Sequence, residues 1–281
     1  MLGVTLKFPK KRAFVTGAAS GLGRALCRKL AQDRWVLAMT DVNEERLQEA
    51  GEEMTQLGAD VYTYVLDVTD REGYKDVIAQ FMEVGHGVDL VFNNAGVAGG
   101  GVLREWDIEN WDWLMGINFM GVVNGCHFFL PILEQQRSGH LVNTASAAAL
   151  FPIPGMAPYC TAKAGVRVLS EILYNELYEY GVGVTVIMPE FFRTNLHENT
   201  RGKDAESAKH LITKAKYSAD DVAEYTLKCV AAGDLYVIFP RHVRIMWWIL
   251  RLNPMMALAL LRRWAEQRRL RVEQARARRN A

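Results

Sequence analysis

The segment from Ala13 to Leu26 most constrains how this chain can fold. A short apolar run ends in Gly17, Gly21 and Gly23 follow, and a helical apolar pattern (Leu22, Ala25, Leu26, Leu30) starts at once. Glycine at such points permits a tight turn, a close approach of backbone to phosphate, and close packing of helix on strand. The helix start, from Ser20 through Gly21, Leu22 and Gly23, then offers free N–H groups and a partial positive charge, which suits a pyrophosphate. The spacing is G-x-x-x-G-x-G, which differs from the commoner G-x-G-x-x-G. A glycine loop alone is an ordinary turn. Here strand, loop and helix come in the order the phosphate mechanism demands.

Downstream, apolar strands end near residues 40, 66, 92, 145, 188 and 238, with helical patterns between them. That alternation predicts an α/β fold: a Rossmann-type doubly wound parallel sheet of about seven strands, covered by helices on both faces. A ligand should then lie across the carboxyl ends of the strands. With 281 residues, half of them hydrophobic, the chain can bury one large core. No internal repeat or low-complexity linker appears before about residue 265. Residues 1–240 therefore read as a single dinucleotide-binding and catalytic domain, and 241–281 as an amphipathic, arginine-rich helical extension.

The strand after the glycine loop delivers Asp41 at its end, 18 residues beyond Gly23, where such folds place an acid on the adenosine ribose. A carboxylate there accepts a hydrogen bond from a 2′-OH and repels a 2′-phosphate. Val42 and Ser20 occupy two positions where a basic residue would pair that phosphate, and Arg24 is the nearby cation. The pattern favours NAD(H) over NADP(H).

Tyr159 and Lys163 lie four apart, so in a helix their side chains share one face. A phenol titrates near pH ~10 and is a poor acid-base group at neutrality. A cation beside it favours the phenolate. Ser146, thirteen residues upstream, adds a hydroxyl that can hold a carbonyl oxygen. Alone, Tyr-x-x-x-Lys is as readily two surface residues on one helix.

Taken together, Thr16-to-Gly23, Asp67-Val68, Asn93-Asn94-Ala95-Gly96, Asn118, Ser146, Tyr159-x-x-x-Lys163 and Pro189-to-Thr194 resemble the short-chain dehydrogenase/reductases, in family order and spacing over roughly residues 10–240. The resemblance implies that Asp67 takes the adenine amino group with Val68 alongside. It implies that Asn94, Ala95 and Gly96 shape the floor under the adenosine ribose, although Asn and Gly also suit a strand-ending turn. Asn118 would position a water near Lys163, Ser146 would bind the substrate oxygen, and Thr194 would reach the nicotinamide carboxamide, with Pro189 lining that ring. In the implied reaction the Tyr159 phenolate takes the hydroxyl proton while hydride passes to the nicotinamide. Lys163 would hold the nicotinamide ribose and lower the tyrosine pKa. The cofactor performs the hard chemistry and the protein supplies orientation and electrostatics.

One departure from the family pattern matters. Pro189 is followed by Glu190 where the family usually has glycine, so the local turn can differ. The Glu190 side chain either enters the substrate site or faces solvent, and an unpaired carboxylate in an apolar pocket is costly.

For the substrate, residues 151–158 are almost wholly apolar, Phe191 and Phe192 follow the nicotinamide motif, and the polar run 195–217 resembles a mobile lid. An apolar secondary alcohol or ketone is the simplest inference, with Phe151, Glu190 and Phe191 as candidate contacts. Core packing is the competing role for each aromatic. The alternatives are an NADP(H)-dependent 3-oxoacyl or carbonyl reductase, or a non-catalytic dinucleotide-binding regulatory or scaffold protein. The six histidines show no ligand spacing, and no metal is expected. Four cysteines without C-x-x-C pairing read as free thiols in a reducing compartment. Cys160 adjoins Tyr159 and is either modifiable or simply a small helix-face residue. The N-terminal ten residues lack the apolar length of a secretory signal. A cytoplasmic protein, with peripheral membrane contact as an option, is the expectation; homodimers and homotetramers are common in the family.

The last 41 residues are unusual. Residues 241–281 hold eleven arginines and two glutamates, a formal +9. In a chain of net charge +1, residues 1–240 therefore carry −8. The apolar runs there are broken by Arg251, Asn253 and Pro254 and are too short to span a bilayer. Three roles stay open: an interfacial helix on anionic lipid, an arm on a partner subunit or over the substrate pocket, and a docked helix with a frayed basic end. Nucleic-acid binding is disfavoured because the basic residues accompany a hydrophobic stretch.

Overall fold

The computed structural model describes residues 3–198, 200–201, 212–255, 258–259, 261–263 and 266–267. Much of the run 195–217 read as a lid, and residues 256–257, 260, 264–265 and 268–281 of the arginine-rich end, lie outside them.

Seven strands form one parallel sheet: β1 (Arg12–Thr16), β2 (Val36–Asp41), β3 (Asp60–Val65), β4 (Leu90–Asn93), β5 (His140–Thr144), β6 (Gly183–Pro189) and β7 (Tyr236–Phe239). Their order is β3-β2-β1-β4-β5-β6-β7. The chain works outward from β1 to β3, then returns to lay β4 on the other side of β1. That reversal is the crevice where open α/β sheets bind ligands.

Side-chain alternation along the strands divides the core in two. On one face Ala13, Val15, Leu37, Met39 and Phe92 pack with α1 (Gly3–Lys7), α2 (Gly21–Ala31), α3 (Glu44–Gln56) and α8 (Ala219–Ala232). On the other, Phe14, Val91, Leu141, Val184 and Val186 pack with α4 (Arg71–Gly85), α6 (Gly121–Gln136) and α7 (Ala157–Glu176). The helices begin at legible signals. Asn43 and Asp70 cap α3 and α4 through their side chains, and Ser218 with Asp221 forms a capping box at α8.

Between β4 and β5 the chain forms α5 (Ile108–Met115), one π-helical turn (Gly116–Met120) and then α6. The continuous helical run Ile108–Gln136 is long and apolar enough to cross a membrane by composition. Its Val122, Cys126, Phe129 and Leu133 are buried against the sheet, so it forms a core layer here. Directly after β7, α9 (Arg241–Leu252) packs Val243 and Trp247 into the same layer. The extension is thus seated on the fold from its first turn.

Candidate active site at the carboxyl edge of the sheet

The glycine loop is held by specific close approaches. Gly17 has φ +65°, and a Cβ there would lie 2.9 Å from the Ala95 Cα. At Gly23 a Cβ would overlap the Gly17 carbonyl oxygen, so only glycine lets α2 start this close to β1. Gly21, at φ +53°, faces Thr194, whose Oγ1 a Cβ would overlap. Thr16 at the end of β1 joins the loop to β4: its Oγ1 accepts from the N–H groups of Asn94 (2.9 Å) and Ala95 (3.0 Å). Asn94 answers by donating its amide to the Thr16 carbonyl at 3.0 Å.

Asp41 ends β2 beside this loop, accepting from the Ala19 N–H at 3.1 Å and the Asn43 N–H at 3.0 Å. Ser20 precedes α2 without a side-chain cap. First-turn N–H groups have no intrahelical acceptor. Such a cradle, with a carboxylate at the next strand end, fits the pyrophosphate and adenosine ribose of a dinucleotide. Asp67 closes an Asx turn on Thr69 (2.9 Å to its N–H), and the Val68 carbonyl accepts from Asn124 at 2.8 Å. A cleft of about 350 Å³ adjoins the loop, lined in part by Ser20, Gly21, Arg24, Arg46 and Thr194. Arg24 is drawn away to Glu53 at 2.7 Å. Arg46 pairs with Glu198 across 152 residues, a contact without a local sequence signal.

The proton-transfer candidates converge on the other side of Asn94. Tyr159 and Lys163 stand one turn apart on α7, 8% and 3% exposed, with the Lys163 Nζ 5.9 Å from the phenol ring centre. Lys163 donates to the Thr144 carbonyl at 2.8 Å, which ties α7 to the end of β5. Two residues further along, Ser146 hydrogen-bonds the Tyr159 side chain and accepts the Ala148 N–H at 3.2 Å. Asn118 is fully buried in the π-helical turn, accepting the Val97 N–H at 2.8 Å and donating to the Val97 carbonyl at 2.9 Å. Gly96 completes the group, because a Cβ there would sit 2.9 Å from the Asn118 Oδ1 and 3.5 Å from the Lys163 Nζ. Beneath them Asn93 donates to Asn143 (2.8 Å) and Asn143 to Ser170 (3.0 Å), linking β4, β5 and α7. Asn143, three residues before Ser146, and Ser170, seven after Lys163, have no signal in the sequence beyond being polar residues in an apolar strand and on the Lys163 helix.

The electrostatics differ from expectation. Burial pushes the Tyr159 phenol up to about 12, with the Ser146 hydrogen bond opposing it. Burial also pulls the Lys163 ammonium down to about 8. Desolvation of the phenol therefore sets the direction of its shift, and the lysine Nζ, 5.9 Å from the ring centre, does not reverse it.

Among the substrate-contact candidates, Phe151 is buried in the cluster holding Val166, Met188 and Trp247, a packing role. Glu190 is exposed, the solvent-facing alternative for its loop. Its backbone N–H continues the sheet to Phe239 at 2.8 Å, and its carboxylate pairs with His242 of α9 at 2.9 Å. Pairing with an imidazole at the surface removes the cost that an apolar pocket would impose. Phe191 is half-buried beyond Pro189. Cys160 is a free thiol, as are Cys27, Cys126 and Cys229. Among the described residues, no group of three His, Cys, Asp or Glu side chains is placed to hold a metal ion.

The chain is similar to known proteins over most of its length. The family model for short chain dehydrogenases matches residues 11–205. The probable oxidoreductase EphD of Mycobacterium tuberculosis is 37% identical over 188 residues, which are 66% of this chain and 32% of EphD. The chain thus spans about a third of the length of that relative. The 3-oxoacyl-[acyl-carrier-protein] reductase FabG of Thermotoga maritima is 30% identical over 233 residues, covering 83% of this chain and 95% of FabG. A short chain dehydrogenase/reductase from Burkholderia phymatum, solved in complex with NAD, superposes with a TM-score of 0.83 at 30% identity, over 88% of this chain and 94% of that one. From its glycine loop to its Tyr159–Lys163 helix, this chain belongs to the short-chain dehydrogenase family of oxidoreductases.

Proposed function

We propose that this protein interconverts an apolar secondary alcohol and its ketone, with NAD(H) as redox partner. The observation that carries the reading is the convergence of Ser146, Tyr159, Lys163, Asn118 and Gly96 beside the glycine loop. NAD(H), when bound, accepts or returns the hydride. Ser146 holds the substrate oxygen through its hydroxyl, and Tyr159 takes or gives the proton of that oxygen. Lys163, fixed to the Thr144 carbonyl, keeps a positive charge near the phenol and offers its remaining N–H groups to a ribose. Asn118 fixes the Val97 backbone, and with it the floor that Gly96 leaves open. Burial moves the two titrations apart, the phenol up to about 12 and the ammonium down to about 8, so the phenol holds its proton until charge is brought to the site.

NAD(H) is preferred because Asp41 presents a carboxylate where a 2′-phosphate would sit and Arg24 is committed to Glu53. A second reading, NADP(H), rests on Arg46, which lines the adjoining cleft and would have to leave Glu198 to meet a 2′-phosphate. A homo-oligomer in the cytoplasm, where thiols stay reduced, completes the proposal. The reading is tested by a panel of hydrophobic and small polar secondary alcohols, each with NAD⁺ and with NADP⁺. The expected result is NADH formation fastest with hydrophobic members. Tight NADH binding with no turnover of any alcohol or ketone would instead mark a dinucleotide-binding regulatory protein.

A further inference from the structure

Helix α9 has two apolar faces. Val243 and Trp247 are buried on the fold, Leu250 packs beside them, and Trp247 meets the Tyr236 ring edge-on at 5.4 Å. On the opposite side Ile245, Trp248, Ile249 and Leu252, spaced i, i+3, i+4, i+7, form one continuous stripe. These four are 61%, 53%, 47% and 86% exposed, and the stripe runs on to Met255 at 74%. An ordinary surface helix is polar on its outer side, so this stripe has something to cover it.

The charge around it decides what. Exposed Arg241, Arg244 and Arg251 flank the stripe, and Arg251 lies over the Trp247 ring at 4.6 Å. The 41 residues from Arg241 onward carry +9, against −8 for the remainder. A twofold contact between two such stripes would set +9 against +9. An anionic surface removes that repulsion and accepts Trp, Leu and Ile at its apolar boundary. Arg251, Asn253 and Pro254 interrupt the apolar run too soon for a span, so the helix would lie in the interface. We infer that α9 docks the protein on an anionic phospholipid bilayer, with Ile245, Trp248, Ile249 and Leu252 inserted and the arginines at the headgroups. The Glu190–His242 pair sets the docked helix against the segment that leads to Thr194.

The test is co-sedimentation of the full chain with phosphatidylcholine vesicles and with vesicles containing one third phosphatidylserine, at low and high salt. Binding to the serine-containing vesicles should exceed binding to phosphatidylcholine at least tenfold and should fall as salt rises. The double variant Trp248→Glu/Ile249→Glu, at two exposed positions, should lose that binding at least tenfold while its thermal melt stays that of the wild type. Three results would overturn the inference: a wild-type chain left in the supernatant with anionic vesicles at low salt, equal binding to both vesicle types, or a double variant that still sediments. A double variant that instead falls to a smaller oligomer while keeping vesicle binding would show that a second copy covers the stripe.

Discussion

At the amino edge of the sheet, Arg12 holds Asp89 through its Nε at 3.1 Å and its Nη2 at 3.0 Å, and sends Nη1 to the His86 carbonyl at 2.6 Å. At the carboxyl edge Lys163, just as buried, has the Thr144 carbonyl at 2.8 Å and a phenol nearby. His140 and Gln136 repeat the amino-edge pattern: His140 meets the Thr185 hydroxyl at 2.8 Å, and Gln136 both accepts from and donates to Val88. At the carboxyl edge the glycine loop and Asp41 instead present groups to the crevice. The same kinds of polar residue are locked to each other at one edge and held ready for a bound molecule at the other. Stability and chemistry are therefore expected to separate by edge.

The sharpest way to break that separation is Lys163→Met. Turnover should fall by about 10²–10⁴-fold, the range of a lost proton-transfer contribution. Stability at neutral pH should hold or rise by about 1–3 kcal/mol, because the fold disfavours the charged lysine. The sign follows from its lowered pKa: the folded state binds fewer protons than the unfolded state between about 8 and 10.5, so the cost is full below that window. Urea melts and initial rates on the same preparation check both halves; a destabilised yet active variant would erase the contrast.

Asp89→Ala should do the reverse, leaving the Arg12 guanidinium buried and unpaired. A loss of about 3–5 kcal/mol in unfolding free energy is expected, with the KM of the folded fraction unchanged. His140 gives the edge a pH signature. Burial pulls its imidazole from 6.5 to about 3, so the unfolded chain binds the extra proton first as pH falls. Stability should drop between about pH 6.5 and 3, by up to about 1.4 kcal/mol per pH unit for this group, and His140→Gln should flatten that slope. The smallest effect belongs to Asp41→Ala, which should relax the preference for NAD(H) over NADP(H) by about tenfold, seen in the ratio of kcat/KM values. An unchanged ratio would move cofactor choice to Arg46.

What was legible in the sequence was local. Strand ends fall within one residue of where apolar runs stop, since a parallel strand buried on both faces must be apolar and then turn. The three glycines were legible because backbone crowding at Gly17 and Gly23, and a positive φ facing Thr194 at Gly21, leave no room for another residue. The π-helical turn under Asn118 was not, because i→i+5 pairing leaves nearly the same apolar spacing as an α-helix. Arg12–Asp89 and Arg46–Glu198 join residues far apart in the chain, and nothing local announces either. Glu190 was recognised as a departure, but its partner His242 emerged only once β7 had brought α9 alongside. The direction of the Tyr159 shift was missed for a related reason: the residue spacing shows the cation and hides the burial.

The most direct test of the account is Tyr159→Phe, with NADH binding followed by fluorescence titration and turnover followed on the best alcohol of the panel. The account predicts NADH affinity within about twofold of wild type and a loss of turnover of at least about 10²-fold, since only the transferable proton has gone. Retained turnover would contradict the role of Tyr159, and lost NADH binding would show that it supports the cofactor site instead.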